Sequence, residues 1–452
     1  MLRDIFYHVH ELHGLFTIEI KNYTEDDIKK MTLVKKTIMK QLLIFAFALV
    51  SFQNSFGQVT STGLIPLCDL QTVYYKNYQG GLYPNGANQR PGNHEAIGIA
   101  LSKQISPLDY QGNFNEQNGK YVFLSIGMSN TTQEFSTFKP MADADISKNP
   151  KLVIVDGAQG GQTASIISNP NAAFWTTIEQ RLQSAGVSSK QVQVCWVKEA
   201  NANPTQAFPV HANTLTNELT TIATILKQKY PNCKIAYLSS RTYGGYATTS
   251  LNPEPYAYES GFSVKWLIEK QINGDPNLIC TGENAKAPWL AWGPYLWADG
   301  LNPRSDWLIW SIDDFVESDR THPSTTSGRK KVANLLLNFV KTDLTARNWF
   351  LKSELTNIDS GGNLPDSFRL FDNYPNPFNP ETNIQYQLPS PCYVSLKVYD
   401  LLGREIEILI DSYQSAGKYL TNFNGSKLSS GTYFYKLKAG NYAETKKMIL
   451  IK

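Results

Sequence analysis

Leu152-Val153-Ile154-Val155-Asp156-Gly157-Ala158-Gln159-Gly160-Gly161-Gln162-Thr163 is a short apolar run that ends in a glycine-rich loop. A strand that is apolar on both faces has to be covered on both faces. The glycines at its exit free backbone N–H groups to approach a ligand, or they simply make a flexible turn. Three more runs read as strands: 121–127, 192–197 and 234–238. Helical candidates at 172–185, 214–229 and 262–273 lie among them. Near-continuous apolar strands alternating with helices give an α/β fold with a doubly wound, mostly parallel sheet. Sites in such sheets lie outside the carboxyl ends of the strands. The residues just after each strand are therefore the ones that bear on function.

After 121–127 comes Met128-Ser129-Asn130-Thr131. Ser129 stands at a strand exit and a helix start, where a serine is either an exposed hydroxyl or an ordinary N-cap. After 192–197 comes Lys198-Glu199-Ala200-Asn201-Ala202-Asn203. An amide here can donate to an oxyanion, and Asn201 and Asn203 are both candidates. After 234–238 comes Ser239-Ser240-Arg241-Thr242-Tyr243-Gly244-Gly245-Tyr246, an expected pocket wall in which Arg241 could equally be a structural ion pair.

Further on, Asp319-Arg320-Thr321-His322-Pro323-Ser324 places a carboxylate three residues before an imidazole, with Gly328 following. Pro323 disfavours helix at His322 and leaves it in a loop. Ser324 is the expected N-cap of a helix whose buried face carries Val332, Leu335, Leu336, Phe339 and Val340. A His oriented by an Asp is the base half of a nucleophilic triad. Of six His, His8, His10 and His13 lie in the leader. His211 has no obvious carboxylate partner, and His94 sits in a Gly/Pro/Asn-rich segment, which leaves His322.

Five of nine tryptophans fall between 288 and 310: Trp289, Trp292, Trp297, Trp307 and Trp310. Some of these rings, Trp292 among them, are expected to rim the cleft while at least half are core. Asp313, Asp314 and Glu317 read as a solvated acidic rim, and neither metal nor cofactor is expected. The net charge is +3 with 18% charged residues, so composition gives no nucleic-acid or anionic-membrane partner.

Residues 1–58 read as leader and signal peptide. Lys35, Lys36 and Lys40 form a basic region, 42–50 a short apolar core, and Ser55-Phe56-Gly57 a cleavage site, so the mature chain would start near Gln58. Residues 1–30 are expected to be a mis-assigned start without structure. The apolar core is shorter than the roughly 20 residues a membrane-spanning helix needs. Cys68, Cys195, Cys233, Cys280 and Cys392 show no metal spacing. Cys195 is expected to be a buried thiol; a Cys68–Cys280 bridge is one pairing that export would permit.

A polar linker is expected at 351–366. Beyond it, 367–452 reads as a small all-β sandwich, with strands at 382–388, 393–399, 431–438 and 445–451 and tight turns at Leu402-Gly403-Arg404 and Ala439-Gly440-Asn441. This region closely resembles the C-terminal sorting domain of type IX secretion substrates. The matching residues are Tyr374-Pro375-Asn376-Pro377-Phe378, Tyr399-Asp400-Leu401-Leu402-Gly403, Ser430-Gly431-Thr432-Tyr433 and Lys447-Met448. The resemblance implies export through the periplasm of a Gram-negative bacterium, with the type IX secretion machinery as partner.

Residues 118–345, taken in order, resemble the SGNH, or GDSL-like, hydrolases: Ser after the first strand, Gly after the second, Asn after the third, Asp-x-x-His near the end. Met128 replaces the usual Asp beside the nucleophile, and the third block lacks the usual Gly-x-Asn-Asp. The resemblance implies a flavodoxin-like sheet and a triad of Ser129, His322 and Asp319. It implies an oxyanion hole from Ser129, Gly161 (rather than Gly160) and Asn201, with Asn203 as fallback. Arg241, Tyr243 and Trp292 are the expected substrate contacts, and Ser239 or Ser240 the fallback nucleophiles. The expectation is a secreted serine esterase that removes acyl, first of all acetyl, groups from carbohydrate. A lipase or polyester hydrolase, a serine amidase or peptidase, and a non-catalytic surface-binding protein on a degenerate hydrolase fold are the alternatives.

Overall fold

The computed structural model describes residues 59–352, 365–389, 392–414 and 416–452, and the backbone of two strands near the N-terminus. Those two, Tyr7–Leu12 and Leu15–Ile20, pair antiparallel from Tyr7↔Ile20 to Leu12↔Leu15. This corrects the expectation that residues 1–30 carry no structure. The second segment is rich in aromatic and β-branched residues, and only two residues separate it from the first, which is hairpin spacing. The expected signal sequence and cleavage site, and most of the expected linker, lie outside the described residues.

The α/β region is built on β1 (Tyr121–Gly127), β2 (Leu152–Asp156), β3 (Val192–Lys198), β4 (Ile235–Ser239) and β5 (Trp289–Trp292). All neighbours run parallel, in the order β2-β1-β3-β4-β5. The order reverses between β1 and β3, so the chain leaves these adjacent strands in opposite directions and opens a crevice at their carboxyl ends. Every residue of β1, β3, β4 and β5 is buried, which is why the runs look continuously apolar.

The helices are α1 (Gly92–Ser102), α2 (Ser129–Asp143), α3 (Ala173–Ser184), α4 (Val210–Lys229), α5 (Tyr256–Ile272) and α6 (Gly328–Thr342). Strand β5 and helix α1 escaped the sequence reading, and they explain each other. The imidazole of His94, on α1, meets the Leu290 carbonyl at 2.8 Å and stacks on Trp289, so α1 covers the outer side of β5. Helix α6 buries Val332, Leu335, Leu336 and Val340 as expected, while Phe339 is half-buried against Tyr237. Its cap is Ser327, not Ser324. Ser324 lies one turn earlier, where its hydroxyl accepts from the N–H groups of Ser327 and Gly328.

The C-terminal region is antiparallel and all-β. Strands β6 (Arg369–Leu370), β7 (Glu381–Leu388) and β10 (Gly417–Asn424) form one sheet in the order β6-β7-β10. The second sheet has β8 (Cys392–Tyr399), β9 (Glu405–Gln414), β11 (Gly431–Ala439) and β12 (Tyr442–Leu450) in the order β9-β8-β11-β12. Ile384 and Tyr386 of the first sheet share a core with Val394, Leu396, Tyr435 and Leu437 of the second. Strands β9 and β10 were not expected; most described residues of β9 are exposed and β10 alternates half-buried with exposed residues, so neither shows a continuous buried apolar face.

Candidate active site

Helix α2 begins at Ser129, immediately after β1, and aims its N-terminal dipole into the crevice. Three consecutive side chains fix that first turn. Asn130 donates to the Thr321 carbonyl at 2.9 Å, Thr131 to the Lys198 carbonyl at 2.6 Å, and Thr132 to the Asp156 carboxylate at 2.5 Å. The turn is thereby tied to the His loop, to the end of β3 and to the end of β2. Gly127 is obligatory here: a Cβ would sit 2.5 Å from the Lys198 carbonyl oxygen.

On the opposite side of the crevice, Arg320 adopts φ 51° and the loop turns sharply. The N–H groups of Thr321 and His322 both reach Asp319 Oδ1, at 2.8 and 2.9 Å. His322 Nδ1 lies 2.5 Å from Asp319 Oδ2, and His322 Nε2 lies 2.7 Å from Ser129 Oγ. A carboxylate can only accept, so Nδ1 carries the proton and Nε2 accepts from the Ser129 hydroxyl. Burial pushes the Asp319 carboxyl up, but hydrogen bonds from the His322 and Thr321 N–H groups and from the imidazole outweigh it and hold it below the usual range.

The pocket at this point has a volume of about 30 Å³ and is lined by Ser129, Asn201, Arg241, Leu251, Asn252 and His322, among others. Asn201 accepts from the Ser165 N–H and donates to Glu218, which leaves one amide hydrogen free. Asn203 is exposed, is held by Ser250, and lines a neighbouring 240 Å³ cavity instead. Gly161 has φ +76°, open space around its Cα, and an N–H without an intramolecular partner among the described residues. The Ala164 N–H bonds the Ala200 carbonyl at 3.2 Å, so the second and third strand-exit loops are tied together.

Arg241 does line the pocket and is only 3% exposed. Burial pulls its guanidinium down, opposed by the carboxylates of Glu134, Glu199, Glu254 and Asp319. Tyr243 and Trp292 are corrections: both are buried, donating to the Val59 and Leu82 carbonyls, away from the pocket. Trp289, Trp297 and Trp310 are likewise fully buried, and none of them lines the pocket at Ser129. Ser239 and Ser240 are about 1% exposed and meet no imidazole. Asp314 is not part of a solvated rim; it is fully buried and accepts from Lys331, Ser311 and Ser327. His211 has a partner that its sequence neighbours do not reveal, Glu259 Oε2 at 2.6 Å.

Beneath the pocket, Lys198 at the end of β3 meets both carboxylate oxygens of Glu134 on α2, at 2.6 and 2.7 Å. This pair was not anticipated, although Glu134 falls on the core-facing side of α2, one turn beyond Asn130 and Thr131. All five cysteines are free, so Cys68 and Cys280 are not bridged. The close pair is Cys195 and Cys233, both buried, with sulfurs 3.7 Å apart. Among the described residues, no group of three or more His, Cys, Asp or Glu could hold a metal ion. None of their helices is long and apolar enough to cross a membrane.

Residues 372–452 match the secretion system C-terminal sorting domain family. The chain thus carries a type IX sorting domain and is a secreted or cell-surface protein. No curated protein matches the chain. Among solved structures, a Bacillus subtilis protein is similar with a TM-score of 0.28 and 11% identity, over 51% of this chain. The chain spans 58% of that protein's length. The periplasmic domain of a lipopolysaccharide acetyltransferase from Salmonella ser. Paratyphi A gives 0.27 and 13%, over 55% of this chain and 94% of that one. An endo-beta-1,4-mannanase from Thermotoga petrophila gives 0.17 and 11%, over 82% and 77%. These scores are too low for the likeness to bear on function.

Proposed function

We propose that residues 59–350 are an SGNH-type serine ester hydrolase, exported by means of a separate sorting domain at 367–452. The observation that carries this reading is the His322 ring, whose two nitrogens meet Ser129 Oγ and Asp319 Oδ2. Ser129 Oγ attacks the ester carbonyl while His322 Nε2 takes its proton. Asp319 keeps the tautomer and stabilises the imidazolium. The tetrahedral oxyanion accepts from the Ser129 and Gly161 N–H groups and from the free Asn201 amide hydrogen. His322 then protonates the leaving alcohol, and water repeats the sequence on the acyl-enzyme.

Cavity size supports a short acyl group. The 30 Å³ space at Ser129 suits an acetyl better than a fatty-acyl chain. The 240 Å³ cavity beside it shares Asn201 and Asn252 with that pocket and brings Asn203, Thr205, Gln206 and Thr214 to its wall, side chains that can bond the hydroxyls of an alcohol portion. The test is turnover of p-nitrophenyl acetate, butyrate and palmitate and of acetylated xylan by the full chain and by Ser129→Ala. The reading expects acetate to be the best of the three simple esters and Ser129→Ala to lose all activity. Equal activity in Ser129→Ala would refute it.

A further inference from the structure

A cleft much larger than the pocket at Ser129 lies elsewhere among the described residues. Between α4 and α5 an open cleft of about 620 Å³ is lined by Asn213, Asn217, Trp266, Glu269, Lys270 and Asp275, among others. That volume falls within the roughly 300–1,000 Å³ of ligand sites. Seven of the nine tryptophans donate the indole N–H to a protein acceptor: Trp175, Trp196, Trp289, Trp292, Trp297, Trp310 and Trp349. Trp266 does not. Its half-exposed ring is held by Tyr78, Phe208 and Phe262, with centroids 5.0, 5.7 and 5.7 Å away, so its orientation is set before anything binds.

The polar lining is equally unspent. Among the described residues the side-chain amide of Asn213 has no hydrogen-bond partner, nor does that of Asn273 at the cleft's far end. Asn217 uses only its oxygen, accepting from Lys270 at 3.1 Å. Glu269 is 3.6 Å from Lys265, and Lys270 offsets Asp275, so the cleft has no strong charge of either sign. A fixed indole face among free amides suits the C–H face and hydroxyls of a neutral sugar; it offers little to an anionic polymer or to a purely apolar ligand.

We propose that this cleft is a second, non-catalytic carbohydrate site that takes a segment of a neutral polysaccharide. Its placement gives it a use. Helix α4 lends Asn213 and Asn217 to the cleft, and His211, Thr214 and Leu215 to the cavity beside Ser129. A chain held in the cleft is therefore one helix away from the nucleophile.

The test uses the full chain carrying Ser129→Ala, so that nothing is consumed, in affinity electrophoresis through soluble xylan, glucomannan and β-1,3-glucan. At least one polysaccharide should retard it. Trp266→Ala and the pair Asn213→Ala with Asn217→Ala should each weaken that retardation about tenfold. Trp266 also packs an aromatic cluster, so the Asn pair, at the cleft surface, decides if Trp266→Ala unfolds. With Ser129 restored, the Asn pair should leave turnover of a small soluble ester unchanged. No retardation by any of the three, or retardation undiminished in the Asn pair, overturns the proposal. Absence of ester turnover in the wild type would instead count against the esterase reading and leave the binding result standing.

Discussion

Replacing Glu134 with Gln should cost more stability than any other single change on the polar side of α2. Its carboxylate meets the Lys198 ammonium at 2.6 and 2.7 Å, and the two side chains are 0% and 1% exposed. Burial has already pulled Lys198 down to about 8, even with its partner present. Breaking a buried pair by removing one partner costs about 3–5 kcal/mol. At roughly 2–4 °C per kcal/mol, that lowers Tm by about 6–20 °C. The pH dependence has a definite sign. Without Glu134 the folded-state pKa of Lys198 falls further below its unfolded value of about 10.4. The penalty is complete below the folded pKa and fades as pH rises towards the unfolded one. Urea unfolding followed by tryptophan fluorescence, at pH 7 and pH 9.5, should show the Glu134→Gln deficit shrinking at the higher pH. Glu134→Leu combined with Lys198→Met should cost less than Glu134→Gln alone. A single-variant loss below about 1 kcal/mol, or a deficit that grows with pH, would refute the reasoning.

Asn130→Ala should lower kcat about tenfold with little change in KM, because it frees the nucleophile's turn from the His loop; steady-state kinetics with folding checked by circular dichroism decides. Asp319→Asn should lower kcat by about 10³–10⁴, since the His322 tautomer is lost. Because the Asp319 carboxyl is held below its ordinary value, its ionised form contributes stability above about pH 4 that is lost on further acidification. Acid titration of Asp319→Asn should show that contribution missing at pH 5 and the difference from wild type closing by pH 2. Residues 59–352 expressed alone should retain ester turnover, and a folded but inactive fragment would join the β region to the site.

The parallel sheet was legible because strands buried on both faces must be apolar throughout, so 121–127 and 152–156 stand out unaided. Strand β5 was not, because Trp289 and Trp292 look like ligand-facing aromatics until their N–H groups find the His94 and Leu82 carbonyls. Tyr243 misled in the same way, since its hydroxyl donates to the distant Val59 carbonyl. Strand-exit position made Ser129 a candidate and loop chemistry paired Asp319 with His322, but only the order of the blocks, through the resemblance to SGNH hydrolases, joined the serine to the pair. Asn130, Thr131 and Thr132 were in plain view, but short polar residues at a helix start have too many ordinary uses to single out. The partners Glu134–Lys198 and His211–Glu259 are set by packing between distant segments, 64 and 48 residues apart, which no local pattern encodes.

The most direct measurement is intact-mass and peptide mapping after treatment with a fluorophosphonate. The account predicts one adduct per chain, on Ser129, forming rapidly in the wild type and far more slowly in His322→Ala. An adduct on another serine, or none on a protein that is folded, would contradict it.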